Sequence, residues 1–197
     1  MKDKIKIRIH FPIETFTIFF CKLDDFVKNI KKLPNFNISN LDIKTNWNFF
    51  VSEFPESTYS DTNKKYVFSP MGNDKITLFV TNQSDGAYTW INIINNGIKG
   101  ESISITSSFY YKEYKMYKFN YYKGGDSIRY VRSMQDPRWE FYERGNPLWF
   151  EDTELYKQRM IKKRMNLQVI DSYLKKMRID IFDENFLKNK ETIYELT

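Results

Sequence analysis

From Lys4 to Phe11 apolar and polar side chains alternate without a break. Ile5, Ile7, Ile9 and Phe11 fall on one side and Lys4, Lys6, Arg8 and His10 on the other, as in a half-buried strand. Pro12 ends the alternation, and Thr15–Phe20 reads as a second β-rich run. KLDDFVKNIKKL then sets Leu23, Phe26, Val27, Ile30 and Leu33 at helical spacing before Pro34 closes it. Residues 1–34 are therefore predicted as a β-β-α opening unit. Between Pro34 and Asp74 the pattern is mixed, with a strand at Trp47–Val51 and a polar loop, PESTYSDTNKK.

Residues 75–145 read as a β-meander. KITLFVTN and AYTWINII flank the turn residues QSDG, NNG follows Ile94, and SISITSSFYY gives a further strand. KGGD separates YKMYKFNYY from SIRYVRSM. RWEFYE follows the Asp136-Pro137 turn, and RGNP ends the β region. Two helices over 151–178 close the chain, EDTELYKQRMIKKRM and, from an N-cap at Asn166, LQVIDSYLKKM. In the second, Leu167, Ile170, Leu174 and Met177 share a face. The apolar tail IDIFDENFL is expected to dock. The expected fold is α+β, one domain over residues 1–197: a mostly antiparallel meander sheet with a helix near the N-terminus and two C-terminal helices.

The Gly124-Gly125 pair invites a register. With these two as the loop, Tyr121 faces Ile128, Phe119 faces Tyr130 and Tyr117 faces Arg132 on an aromatic, buried side. Tyr122–Ser127, Asn120–Arg129, Lys118–Val131 and Met116–Ser133 make the mixed side. Most rings of this hairpin are then core residues, and Tyr122 is left over for the surface.

Composition narrows the chemistry. The net charge is +6, and the excess is evenly spread: 13 basic against 10 acidic side chains in residues 1–100, and 18 against 15 in residues 101–197. Such a balance suits an acidic partner without forming a basic arm. Cys21 is the single cysteine, which excludes an intrachain disulfide and favours a reducing, cytoplasmic location. The N-terminus imitates a signal peptide, but Glu14 interrupts its apolar run and Phe19 and Phe20 are too bulky for a cleavage site. No stretch approaches the ~20 apolar residues of a membrane span. Ala87 is the only alanine, amid plentiful Lys, Asn, Ile, Tyr and Phe, so aromatic richness alone says little about function.

With His10 the only histidine, a His-based triad or a His/Cys zinc site lacks its residues, and neither Walker nor dinucleotide glycine spacing occurs. Cofactors, metals and catalytic residues are expected to be none. Carboxylates are the one enzyme route left, through Asp24-Asp25, through Glu151-Asp152 with Glu154, or through Asp180, Asp183 and Glu184. The first two groups also sit at predicted helix starts, where acidic side chains favour the dipole. The basic cluster Lys157, Arg159, Lys162, Lys163 and Arg164 reads as a solvated helix face, or as a phosphate or acidic-protein contact.

The stretch from DGAYTWINIINNG to IDIFDENF carries Arg-x-Val, Trp-x-Phe, Gly-x-Pro and Phe-Glu-Asp signatures, then a basic and a final amphipathic helix. In these it resembles a broad set of small bacterial proteins found beside secreted polymorphic or contact-dependent toxins, as immunity proteins are. The resemblance implies a non-catalytic, cytoplasmic immunity protein of interbacterial competition, monomeric when free, that occludes a cognate toxin domain. Immunity proteins of nucleases usually present an acidic face, so this basic chain suits a toxin with an acidic or neutral cleft. Contacts are expected at hairpin ends: Tyr88 near Asp85, and Tyr122, Lys123, Asp126 and Arg129 around the Gly-Gly loop. A sequence-tolerant nucleic-acid binder using Tyr110, Tyr111, Tyr114 and Tyr122 with nearby lysines stays open beside it, as does a carboxylate enzyme.

Overall fold

The computed structural model describes residues 15–33, 38–41, 66–70, 75–81, 87–107, 115–180 and 193–196. The predicted strand at residues 4–11 with His10, the strand at Trp47–Val51, the PESTYSDTNKK loop, Asp85, Tyr110, Tyr111, Tyr114, Asp183 and Glu184 lie outside them.

The fold is α+β. Among the described residues nine strands form one sheet: β1 (Thr15–Phe19), β2 (Ile38–Leu41), β3 (Tyr66–Pro70), β4 (Thr77–Thr81), β5 (Glu101–Ser107), β6 (Met116–Lys123), β7 (Asp126–Gln135), β8 (Trp139–Arg144) and β9 (Ile193–Leu196). Their order is β2-β9-β3-β4-β1-β5-β6-β7-β8, and every neighbouring pair is antiparallel. Helix α1 (Leu23–Ile30) forms as its spacing dictates, burying Leu23, Phe26, Val27 and Ile30 with Asp24 and Asp25 in the first turn.

The meander begins later than predicted. AYTWINII is no strand: Tyr88–Ile98 is a helix, α2, between β4 and β5, and those two strands are separated in the sheet by β1. Short apolar runs fit either period. Here tertiary burial decides, because a helix sets Ile91 and Ile94 against Phe19, Phe26 and Ile30. Only β5 to β8 form a true meander.

Both sheet faces are covered, and so every residue of β1 and β4 is buried. On one face Phe16, Ile18, Leu78, Val80, Ile103, Ile105, Phe119 and Val131 pack with Phe150, Tyr156, Met165, Ile170, Tyr173 and Leu174. On the other, Phe19, Phe79 and Tyr122 pack under α1 and α2. Burial on this scale stabilises by roughly 1.5–3 kcal/mol for each large apolar side chain.

Both C-terminal helices are present, the first shorter than predicted. Residues 151–165 give only a 3-10 turn at Leu155–Lys157 and a single turn, α3 (Ile161–Arg164). Glu151, expected at a helix start, is drawn instead into the core by Arg129. The last helix, α4 (Leu167–Lys176), matches its forecast, with the Asn166 Oδ1 accepting from the Val169 N–H at 3.1 Å. Ile170 and Leu174 are buried as expected, and Val169 and Tyr173 join them.

The hairpin has the predicted Gly124-Gly125 loop, with Lys123 opposite Asp126 and Tyr122 opposite Ser127. Beyond that point the register slips at a bulge between Tyr121 and Tyr122. Tyr121 then faces Arg129, Phe119 faces Val131 and Tyr117 faces Ser133. Ile128 is the extra residue. Because side chains alternate with period two, one extra residue exchanges the faces of everything after it in β7. Arg129 and Val131 move to the Phe119 side, and Tyr130 and Arg132 move to the other. Tyr122 is not left over but 1% exposed beneath α2.

Candidate interaction surface

The bulge gives β7 and β8 two unlike sides. On the Phe119 side, Arg129 is 1% exposed yet charged, and each of its nitrogens has an acceptor. Nε donates to the Glu151 Oε1 at 2.9 Å, and Nη2 donates to the Glu151 Oε2 at 2.8 Å and to the Glu143 Oε2 at 2.5 Å. Nη1 donates to the Gly145 carbonyl at 2.7 Å. The Glu151 side chain is fully buried and also accepts from the Leu148 N–H and the Tyr156 hydroxyl, both at 2.7 Å. The Tyr173 hydroxyl lies 3.1 Å from that of Tyr156, extending the network to α4. Burial opposes the Arg129 charge, but hydrogen bonds to Glu151 and Glu143 outweigh it and hold the guanidinium pKa above its ordinary value.

Gly145 completes this knot. Its φ is +86°, and a Cβ there would sit 2.0 Å from the Ile128 carbonyl oxygen, so the Gly-x-Pro turn lies directly against the bulge. The Arg-x-Val, Gly-x-Pro and Phe-Glu-Asp signatures are thus parts of one ionic fastening of the 145–157 segment to the sheet. Glu151 has its oxygens occupied by donors and no exposed surface, an arrangement suited to holding structure and not to meeting a substrate. Glu154 pairs with Lys157 at 2.6 Å on the surface. Among the described residues no three His, Cys, Asp or Glu side chains gather as a metal-binding group. Burial, with Asp25 adding to it, pushes the Cys21 thiol up to about 11 and leaves it protonated and unreactive at neutral pH.

The other side of β7 and β8 is different in kind. Tyr130 and Arg132 from β7 alternate with Glu140, Tyr142 and Arg144 from β8, with Tyr130 opposite Arg144 and Arg132 opposite Tyr142. Tyr142 is 50% exposed, and its ring lies 5.9 Å from that of Tyr130. Arg132 lies close enough to Tyr130 to offset part of the upward pKa shift that burial gives its hydroxyl, and Arg144 Nη2 donates to the Ser127 Oγ at 3.2 Å. Tyr88, at the first turn of α2, is 54% exposed. It stands close enough to Tyr122 and Tyr130 to add to the upward pKa shift that burial produces in both. The result is a surface on which Tyr88, Tyr142 and Arg144 are exposed with Tyr130 and Arg132 half-buried beside them, side chains of the kinds that most often carry interface energy.

Of the described residues expected at the interface, Tyr88 alone lies on this surface. Lys123 and Asp126 are exposed at the hairpin tip, and Lys123 pairs with Glu101 at 2.8 Å. That tip does not project. The Gly124 N–H donates to the Gly100 carbonyl at 3.0 Å, and a Cβ on Gly125 would lie 3.3 Å from the Asn96 Cα, so the loop rests on the end of α2. Tyr122 and Arg129 are both 1% exposed and are corrected from contact residues to core residues. Tyr130, Arg132, Tyr142 and Arg144 were not anticipated, although the alternation of Glu140, Tyr142 and Arg144 with Phe141 in RWEFYER carried part of the signal. Trp149, 74% exposed between the anchored Leu148 and Phe150, was missed as well.

No protein-family description, curated protein or solved structure matches this chain. Among the described residues no helix is long and apolar enough to cross a membrane.

Proposed function

We propose that this chain is an immunity protein that binds a cognate toxin domain in the cytoplasm and occludes its active site without performing chemistry. The observation that carries the reading is the surface on which the exposed Tyr88, Tyr142 and Arg144 stand beside the half-buried Tyr130 and Arg132. Tyrosine and arginine supply large contact area and directional donors, and this surface stands on a sheet braced from behind by the Arg129–Glu151 knot. Its two arginines against the single Glu140 suit a partner whose cleft is acidic or neutral. Co-expression with the products of adjacent genes tests the proposal: one product should arrest growth, and this protein should restore it and co-purify with that product. If no neighbouring product is toxic, or growth stays arrested with this protein folded and present, the reading fails.

The same rings and cations favour one second reading, a sequence-tolerant nucleic-acid binder that would stack bases on the exposed Tyr88 and Tyr142, since Tyr122 is buried. Phosphate contacts would make its affinity for a single-stranded oligonucleotide fall steeply with salt. Absence of binding at low salt removes it.

A further inference from the structure

We infer that two copies of this chain associate edge to edge through β8, forming a symmetric antiparallel pair that joins their sheets. β8 is the last strand of the sheet, and among the described residues it has a hydrogen-bonded neighbour, β7, on one side only. Tyr142, Glu143 and Arg144 are exposed in succession, so the strand is open to solvent along that half. Open edges of this kind pair with further strands unless their side chains oppose it.

The side chains of β8 match a second copy of themselves. A two-fold axis through the Tyr142 position places Tyr142 opposite Tyr142 of the other copy. Glu140 then falls opposite the other copy's Arg144, and Arg144 opposite its Glu140, so each dimer gains two cross-strand ion pairs and one aromatic pair on the same face. The neighbouring symmetric registers lack this match. An axis through Phe141 sets Arg138 against Arg144, and an axis through Glu143 sets that carboxylate against its own copy. Charge complementarity therefore selects one register, and symmetry makes the contact isologous and closed. Six residues bury little area, so the pairing is weak and concentration-dependent. It would also set two copies of the tyrosine and arginine surface side by side, and it does not depend on what that surface binds.

Sedimentation velocity over roughly 5–500 µM is the test, since small interfaces dissociate in this range. The wild-type protein should pass from monomer to dimer across the series. Glu140→Arg and Arg144→Glu, each of which sets like charges opposite one another twice, should weaken association by about 10-fold or more. The double variant Glu140→Arg/Arg144→Glu restores the pairing with its sense reversed and should recover dimerisation. Circular dichroism on each variant separates weakened association from a disturbed fold, and the recovery in the double variant does so independently. A wild-type monomer throughout the range overturns the inference, as does a dimer indifferent to the single reversals or one that the double variant fails to restore.

Discussion

The two sides of β7 and β8 use similar residues for opposite ends. On one, Arg129 is sealed from water against Glu151, which also accepts from Tyr156, itself hydrogen-bonded to Tyr173. On the other, Arg132 and Arg144 stand among the exposed rings of Tyr88 and Tyr142. An arginine beside a tyrosine thus says nothing about role until its face is known. Here the face is decided by one extra residue, Ile128, whose carbonyl lies against Gly145. The contrast also divides the energetics. A buried ion pair is costly to break because removing either partner leaves the other uncompensated, whereas exposed rings and charges contribute little to folding and remain available to a partner.

Breaking the sealed side should produce the largest effect. Arg129→Ala strands the Glu151 carboxylate and should cost about 3–5 kcal/mol of stability in urea denaturation. Replacing both partners, as Arg129→Met/Glu151→Gln, should cost less than the single change, because no unpaired charge stays buried. Equal losses would mean the pair does not act as a unit.

Core truncations come next and sharpen the face assignment. Phe119→Ala and Tyr122→Ala should each lose roughly 3–5 kcal/mol, since both rings are 1% exposed on opposite faces of β6. A Tyr122→Ala loss below about 1 kcal/mol would instead restore the register without a bulge.

Alkaline pH adds a smaller, graded effect. Tyr117, Tyr121, Tyr122, Tyr130, Tyr156 and Tyr173 are all raised above 10.0, with burial the leading cause in each. A phenol whose pKa is raised on folding adds stability that is fully present below its unfolded value and is lost as pH rises from that value through the folded one. The denaturation midpoint should therefore hold steady to about pH 9 and fall above about pH 10. A midpoint unchanged through pH 11 would contradict this neutral, buried state. Smallest of all, Tyr142→Ala should change stability by under about 1 kcal/mol, because half of that side chain is already in water.

The parts of this fold written into short windows were legible in the sequence. Leu23, Phe26, Val27 and Ile30 specify α1 by spacing alone, Asn166 caps α4, and Gly124-Gly125 supplies the positive φ values of 64° and 102° that the loop needs. The parts decided at a distance were not. Trp90, Ile91, Ile93 and Ile94 fit a strand as well as a helix, and α2 forms because the far face of the sheet needs cover. Glu151 resembles an N-terminal helix residue until Arg129, 22 positions earlier, claims it. That same distant pairing hid the surface. In the unbulged register Tyr130 and Arg132 fall among core residues, so of this surface only Tyr88 was anticipated, and Arg129 and Tyr122 were expected at the surface although both are buried.

The measurement that tests the proposed function most directly is growth protection by Tyr88→Ala/Arg132→Glu against a neighbouring-gene toxin, in parallel with the wild-type protein, read beside the unfolding free energy of the same variant. Neither residue belongs to the buried knot or takes part in the β8 pairing. The account predicts that the wild type protects while the variant loses protection and co-purification, with an unfolding free energy within about 1 kcal/mol of wild type. Full protection by this folded variant would contradict it and move the toxin contact away from the tyrosine and arginine face.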